Sequence, residues 1–169
     1  MALWLDLKGP VLADTVYRNG VLVGKDVTVT LPAVNFVTHD HKAMGTVTLP
    51  VPGQIEAMEM TITKIGVDLG LGRMIALKNE TFEFRWAQDV VKADGTSSPE
   101  GCKAFVHGVP KGIPGIGLEP GTASENEISL AVNRYQLYVA GEEYFLIDPL
   151  KGTQRILGVD YAKNIMSML

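Results

Sequence analysis

Residues 127–139 read EISLAVNRYQLYV and form the longest strand pattern in the sequence. The apolar residues of its first half share one face of a strand, because they recur at every second position: Ile128, Leu130 and Val132. Those of its second half follow the same period, but shifted by one residue: Tyr135, Leu137 and Val139. Such a slip predicts a bulge or a strong bend near Arg134.

Three earlier segments show the same alternation of apolar and polar residues. Their apolar positions are Val27, Val29 and Leu31, then Met58, Met60 and Ile62, and finally Phe82, Phe84 and Trp86. Three large aromatic side chains on one face of a strand bury much apolar surface, so the last segment is expected to anchor the core. Half-buried strands throughout the chain predict a mainly β (α+β) fold.

One helix and two long loops complete the predicted organisation. Apolar residues at helical spacing predict a flanking helix near 68–78, with Asp68 as its N-cap and Asn79 as its stop. Residues 33–55 contain several prolines and glycines and predict a protruding loop or hairpin. Residues 108–123 are so rich in glycine and proline that we expect a second loop, with neither helix nor central strand over 108–121.

Composition narrows the possible functions. The chain has 169 residues, a mass of 18.3 kDa and a formal net charge of −4, which predicts a single domain over 1–169 without the basic surface of a sequence-specific nucleic-acid binder. A single cysteine, Cys102, excludes an internal disulfide framework. This cysteine usage predicts a cytosolic protein. Residues 1–8 lack the basic start of a secretory signal, so export is not expected. No apolar stretch approaches the length of a membrane span, and no membrane binding is expected.

No motif predicts catalysis or cofactor binding. His39 and His41 lie on one face of a possible strand with Asp40 on the other, but no third ligand follows at a metal-site spacing, so a solvated loop tip is expected and no metal. The aromatic triplet that ends at Trp86 has the composition of a stacking platform, yet its alternation is typical of a sandwich core. We therefore expect no catalytic, cofactor-binding or metal-binding residues.

The chain resembles the major tail tube protein of contractile-tailed phages and related tail-like particles. The segments that carry the resemblance are the strand Val27–Pro32, the amphipathic strand Glu59–Thr63, and the ending Asn133–Asp148 followed by Gly158–Asp160. Their order along the chain also matches the family. The resemblance implies two packed antiparallel sheets in a sandwich or barrel, and a structural subunit whose hexameric rings stack into a hollow tube that passes DNA or an effector.

The resemblance also implies site residues and partners. Glu59, Thr61 and Thr63 are candidates for the lumen face, and the inter-ring loop is expected to include His39, Asp40, His41 and Lys42. Implied partners are other copies of the chain, the sheath, the tape-measure, baseplate and tail-terminator proteins, and DNA as a non-specific passing cargo. The expected location is the bacterial host cytoplasm during assembly and then a virion tail or a tail-like particle, which includes tail-like bacteriocins and injection devices. The alternatives are a small-ligand-binding β-barrel module and an enzyme that uses the His39–His41 segment.

Overall fold

The computed structural model describes residues 5–169, in which ten of twelve strands join one antiparallel sheet and the other two form a separate hairpin. The strands are β1 Leu7–Arg18, β2 Val21–Lys25, β3 Thr28–Thr30, β4 Phe36–Lys42, β5 Thr46–Ile55, β6 Met58–Ile65, β7 Glu80–Val91, β8 Ser97–Pro110, β9 Glu125–Val139, β10 Glu142–Asp148, β11 Thr153–Ile156 and β12 Val159–Asp160. The helices are α1 Leu69–Met74 and α2 Lys163–Met166. The predicted mainly β fold is confirmed.

The ten-stranded sheet folds back on itself to make two layers that share β9. The large layer has the order β12-β11-β10-β9-β8-β7-β1-β2, and the small layer has the order β3-β6-β9. The first half of β9 pairs with β6 and its second half with β10. Since β2 and β12 end the large layer without pairing with each other, the described strands form an open sandwich and no closed barrel.

A bulge at Asn133 separates the two halves of β9. His107 of β8 pairs with Arg134 and Gly108 pairs with Val132, which leaves Asn133 as the extra residue. The bulge predicted near Arg134 is therefore confirmed, and it turns the strand from one layer into the other. Gly108 is required at this bend, because a Cβ atom there would lie 2.9 Å from the carbonyl oxygen of Ala131.

The core fills the space between the two layers, and the predicted apolar faces supply it. The small layer contributes Met58, Met60, Ile62, Ile128 and Leu130, and the large layer contributes Val16, Phe82, Phe84, Val106 and Tyr135. Leu71 and Met74 of α1 close one side of this cluster. Trp86 is partly buried at its margin.

Helix α1 is shorter than predicted. Asp68 is its N-cap as expected, and one carboxylate oxygen of Asp68 accepts from the backbone N–H of Leu71 at 2.8 Å. The helix nevertheless ends at Met74, and Leu77 is 81% exposed, so the apolar period beyond Met74 does not mark a buried helical face. The predicted stop at Asn79 is wrong.

The structure also corrects the proposed loop bounds. Gly108, Val109 and Pro110 belong to β8, because this strand pairs with the bent part of β9 up to Leu130, and Pro110 is the last residue of the strand, a position where proline is tolerated. The segment 33–55, by contrast, contains the β4–β5 hairpin, which is one of the two forms predicted for it. Strands β1 and β2, which the alternation did not reveal, form a hairpin across the turn Asn19-Gly20.

Neither described helix is long enough and apolar enough to cross a membrane. Residues 1–4, which belong to the segment inspected for a secretory signal, lie outside the described residues.

Candidate functional site

The outer surface of the small layer is a polar face, opposite to the core. In the register of the strands, Thr61 lies between Thr30 and Ser129, and Thr63 lies between Thr28 and Glu127. We define the polar face by its outward polar residues, which are Thr28, Thr30, Glu59, Thr61, Thr63, Glu125, Glu127 and Ser129. The exposed side chains of Ile65 and Ala131 lie on the same surface, at its margins. The structure thus brings the three predicted lumen residues together on one surface, while the alternate positions of β6 enter the core.

Negative charge dominates this surface. Glu59, Glu125 and Glu127 contribute three carboxylates, and Lys111 contributes an ammonium group whose Nζ lies 3.0 Å from Oε2 of Glu59. Both side chains of this pair are about half exposed, so the pair adds less than about 1 kcal/mol to stability. Its structural effect is to hold the start of the glycine- and proline-rich segment against the polar face.

The small layer has two free edges. Among residues 5–169, β3 pairs with β6 on one side and with no strand on the other. The edge of β9 that faces away from β6 is paired with β8 from Leu130 onward, whereas residues 125–129 receive on that edge a single backbone hydrogen bond, from the N–H of Lys111 to the carbonyl oxygen of Ser129 at 2.8 Å. Exposed edges of this kind are ready for pairing with another chain.

The predicted inter-ring residues lie on the β4–β5 hairpin. The rings of His39 and His41 are on one face with their centroids 4.8 Å apart, and Asp40 on the other face accepts a hydrogen bond of 2.6 Å from the Thr48 hydroxyl. All four predicted residues, including Lys42, are exposed. The hairpin pairs with no other strand of the described chain, so these side chains are displayed on an extension of the sandwich.

The base of the hairpin is fixed to the body by Gly53. Its backbone N–H donates a 2.8 Å hydrogen bond to Oε1 of Gln154, a buried side chain on β11. Gly53 has φ +78°, and a Cβ atom there would lie 3.3 Å from Cδ1 of Ile165. The C-terminal part of the chain therefore sets the direction in which the hairpin projects. Sequence reasoning missed this contact, which depends on a long-range approach of two segments.

Three ionisable groups with shifted pKa values have structural surroundings. Cys102 is buried on β8, and burial followed by the charge of Glu100 raises the pKa of its thiol. Burial raises the pKa of Tyr135 in the core to about 12. Glu80 accepts from the Asn19 amide and from Arg18, and these bonds lower the pKa of its carboxyl group. These shifts favour a neutral thiol at Cys102, a neutral phenol at Tyr135 and an ionised carboxylate at Glu80.

Two further observations concern the alternative functions. Among the described residues, no group of three or more His, Cys, Asp or Glu side chains is arranged to hold a metal ion. An open cleft of about 610 Å³ lies on the large layer and includes Trp86, Phe105, Tyr138, Arg85 and Lys103 in its lining. This cleft is outside the sandwich, whereas the ligand cavity of a β-barrel module lies inside the sheet.

Comparison with known proteins places the chain in a family. The family model for "Phage tail tube protein FII" matches residues 12–169. The chain belongs to this family. The predicted family and the predicted role as a structural subunit of a tail tube are confirmed. No curated protein matches the sequence.

Two solved structures share the fold. One is described as the sheath-tube complex of an extracellular contractile injection system, PVC, in its extended state, with 14% identity, a TM-score of 0.55, and coverage of 78% of this chain and 91% of the other. The second is described as the sheath/tube terminator of the same system, with 15% identity, a TM-score of 0.56, and coverage of 81% and 99%. At this identity the likeness establishes a shared fold.

Proposed function

We propose that copies of this chain join side by side into a closed hexameric ring, with the polar face lining a central channel. The observation that carries the proposal is that the small layer has a polar outer surface bounded by two free edges. Pairing the β3 edge of one copy with the β9 edge of the next satisfies both edges and continues the polar face from copy to copy. A head-to-tail contact that closes after a full rotation gives a ring.

The composition of the polar face suits a passage for DNA or an effector. Glu59, Thr61 and Thr63 face the channel in this arrangement, together with the glutamates of β9. Lys111 is the cation of this surface, and Glu59 already compensates its charge. Because DNA binding depends on cations that neutralise phosphates, such a wall retains DNA weakly, and DNA is a non-specific passing cargo.

Rings stack through the β4–β5 hairpin. The side chains that meet the next ring include His39, Asp40, His41 and Lys42, which project beyond the sandwich. The bond from Gly53 to Gln154 supports this role, because a hairpin with a fixed base presents its tip in the same position in every copy.

The remaining partners are proposed from the assemblies in which the two similar structures were solved. Since the two similar structures are described as parts of a sheath-tube complex and a sheath/tube terminator, we assign this chain a contractile sheath, a terminator, a baseplate and a tape-measure protein as partners. The whole chain acts as one tail-tube domain with a structural and not an enzymatic role. It assembles in the bacterial host cytoplasm, becomes part of a virion tail or tail-like particle, and binds no membrane.

Electron microscopy of the purified protein at high concentration tests ring and tube formation. Rods with a central channel, accompanied by a light-scattering mass far above 18.3 kDa, are expected. The orientation of the polar face is then tested with Thr63→Cys in a Cys102→Ala background, and with Ser97→Cys, at the exposed start of β8, as the matched control. A polymer-linked maleimide too large for the channel is expected to label the control in rods and to spare the Thr63 position, whereas equal labelling of both in intact rods contradicts a lumen-facing polar face.

A further inference from the structure

The segment between β8 and β9 carries large apolar side chains that its own chain leaves exposed. We call residues 111–124 the apolar arm. Ile113 is 77% exposed, Ile116 is 47% exposed and Leu118 is 87% exposed. Charged residues occur at two positions of the arm, Lys111 and Glu119. Three exposed aliphatic side chains within six residues are unfavourable in water and are typical of a surface that binds another protein.

The apolar arm is attached to the sandwich at its two ends and projects between them. Lys111 is bonded to Ser129 at one end, and at the other the carbonyl oxygen of Ser124 accepts from the N–H of Gly66 at 2.8 Å. Between these ends, Cβ atoms added at Gly112, Gly115 and Gly117 would find no atom within 4 Å. The arm is therefore open to solvent at these glycines, while residues 111–114 lie beside Glu127 and Ser129 at the β9 edge of the small layer.

The opposite edge of the sandwich has an apolar groove. The groove lies between β1 and β3, where the two layers separate, and has a volume of about 150 Å³. Its lining is mostly apolar and consists of Val11, Val16, Val29, Leu31, Phe84 and Trp86, with Asp14, Thr15 and Arg85 completing it. A cavity of about this volume with apolar walls accepts a group of the size of benzene, and thus one branched aliphatic side chain.

We propose that the apolar arm of one copy inserts its aliphatic side chains into the groove between β1 and β3 of the next copy in the ring. This inference rests on the proposed side-by-side assembly. The arm leads directly into the free edge of β9, and the groove is flanked by the free edge of β3. An assembly that brings these two edges together also brings the arm of one copy to the groove of its neighbour. The occupant of the groove is thus a second copy of this chain.

The arrangement explains why the arm has no partner within one copy. A head-to-tail ring uses different surfaces on the two sides of each subunit, so a projection on one side requires a recess on the other. Burying Ile113, Ile116 and Leu118 against a neighbour removes apolar surface from water and stabilises the ring. The glycines and prolines of the arm then allow it to follow an irregular, extended path from one subunit to the next.

Cross-linking tests the contact in assembled rods. Ile116→Cys combined with Val11→Cys, in a Cys102→Ala background, is treated with a short bismaleimide. We expect a ladder of covalently linked copies on a denaturing gel, because each bond joins two subunits. The matched control combines Ile116→Cys with Leu157→Cys, an exposed apolar position between β11 and β12, and is expected to stay monomeric on the gel. Rods that give no ladder, or the same ladder in both variants, overturn the inference.

A second measurement uses Trp86 in the groove. In a Trp4→Phe background, the emission of Trp86 is expected to shift to shorter wavelength when rods form, since the arm of a neighbour excludes water from the groove. A variant with Ile113→Ser, Ile116→Ser and Leu118→Ser is expected to keep the thermal midpoint of the monomer and to need at least a tenfold higher concentration for assembly. Normal assembly by this variant overturns the arm contact and leaves the tube function intact, whereas failure of the unmodified protein to form rods counts against the tube function itself.

Discussion

The backbone N–H of Gly53 donates a hydrogen bond of 2.8 Å to Oε1 of Gln154, a residue that follows 101 positions later in the sequence. This bond joins the base of the β4–β5 hairpin to the C-terminal strands. Since Gln154 is buried, its amide group is held in one position, and the bond from Gly53 fixes the orientation of the hairpin relative to the sandwich.

Replacing Gln154 by Ala is expected to destabilise the protein and to loosen the hairpin. The change leaves the N–H of Gly53 without its acceptor and removes a buried side chain, at a cost of about 1–3 kcal/mol in the free energy of unfolding. Urea denaturation measures this loss, and hydrogen exchange over Phe36–Ile55 measures the loosening. Gln88→Ala, which removes an amide bonded to Glu100 far from the hairpin, is the control and is expected to leave exchange in the hairpin unchanged.

Gly108→Ala is expected to disturb the bend where the two layers meet. The added methyl group would lie 2.9 Å from the carbonyl oxygen of Ala131, and backbone atoms on both sides must move, which costs about 1–3 kcal/mol. Gly101→Ala lies on the same strand with no atom within 4 Å of the new Cβ. Urea unfolding of both variants checks the prediction, and equal stabilities contradict the steric role of Gly108.

Stability is expected to fall in acid because of Glu80. Its hydrogen bonds from Asn19 and then Arg18 hold the pKa of its carboxyl group below the ordinary value of 4.5. The unfolded state therefore binds a proton first as the pH falls, so the stabilisation is fully present above about pH 5 and is lost as the pH passes 4.5 and then the lowered folded-state pKa.

Glu80→Gln tests this pH dependence, because the variant cannot titrate at this position. The free energy of unfolding, measured from pH 7 to pH 3, is expected to fall less steeply in the variant than in the unmodified protein. Glu142→Gln, at an exposed position at the start of β10, controls for the loss of one carboxylate. A slope in the Glu80 variant as steep as that of the parent rules out this carboxyl group as a source of the acid sensitivity.

Adding a cation to the polar face is expected to make assembled tubes retain DNA. Thr61→Lys places one ammonium group per copy on the proposed channel wall, and each ring then presents a circle of cations to the phosphates. Retention of a short DNA that fits the channel, measured by fluorescence anisotropy, is expected to rise and to weaken steeply with salt. Ser97→Lys carries the same charge at the exposed start of β8. Retention that is equal in both variants argues against a channel position for Thr61.

Capping of α1 by Asp68 gives a local prediction. Its carboxylate accepts from Leu71 N–H and lies 2.7 Å from Lys64 Nζ. Asp68→Ala is expected to lower the free energy of unfolding by about 1 kcal/mol, since an N-cap and an exposed ion pair are lost together. Asp68→Asn retains an acceptor for the cap and is expected to lose less. Thermal unfolding of the two variants checks this order.

The sequence predicted those features that depend on local periodicity. The alternation around Met60 and Phe84 placed both side chains in the core, and the phase slip near Arg134 predicted the bulge at Asn133. These patterns could be recognised because successive side chains of a strand point alternately to the core and to solvent, so apolar and polar residues alternate.

The features that were missed have identifiable physical causes. Register shifts between Lys8 and Ala13 interrupt the alternation of β1 and conceal it, although the Asn19-Gly20 pair is a strong hairpin signal that could have revealed β1 and β2. The apolar residues up to Leu77 have the spacing of a helix, but so short an apolar pattern is compatible with more than one type of local structure.

The candidate site could be predicted only in part. Alternation along β6 predicted that Glu59 shares a face with Thr61 and Thr63. The pairing of Glu59 with Lys111, and of Gly53 with Gln154, depends on segments that folding brings together from distant parts of the chain. Neither pairing leaves a signal in local spacing.

The bulge at Asn133 has a mechanical consequence. Because β9 runs without interruption from the polar face into the large layer, the two layers are joined at Asn133 by the backbone itself as well as by side-chain packing. The single crossing strand thus keeps the two layers from separating at Asn133 unless the pairing of β9 with β6 or with β8 is broken.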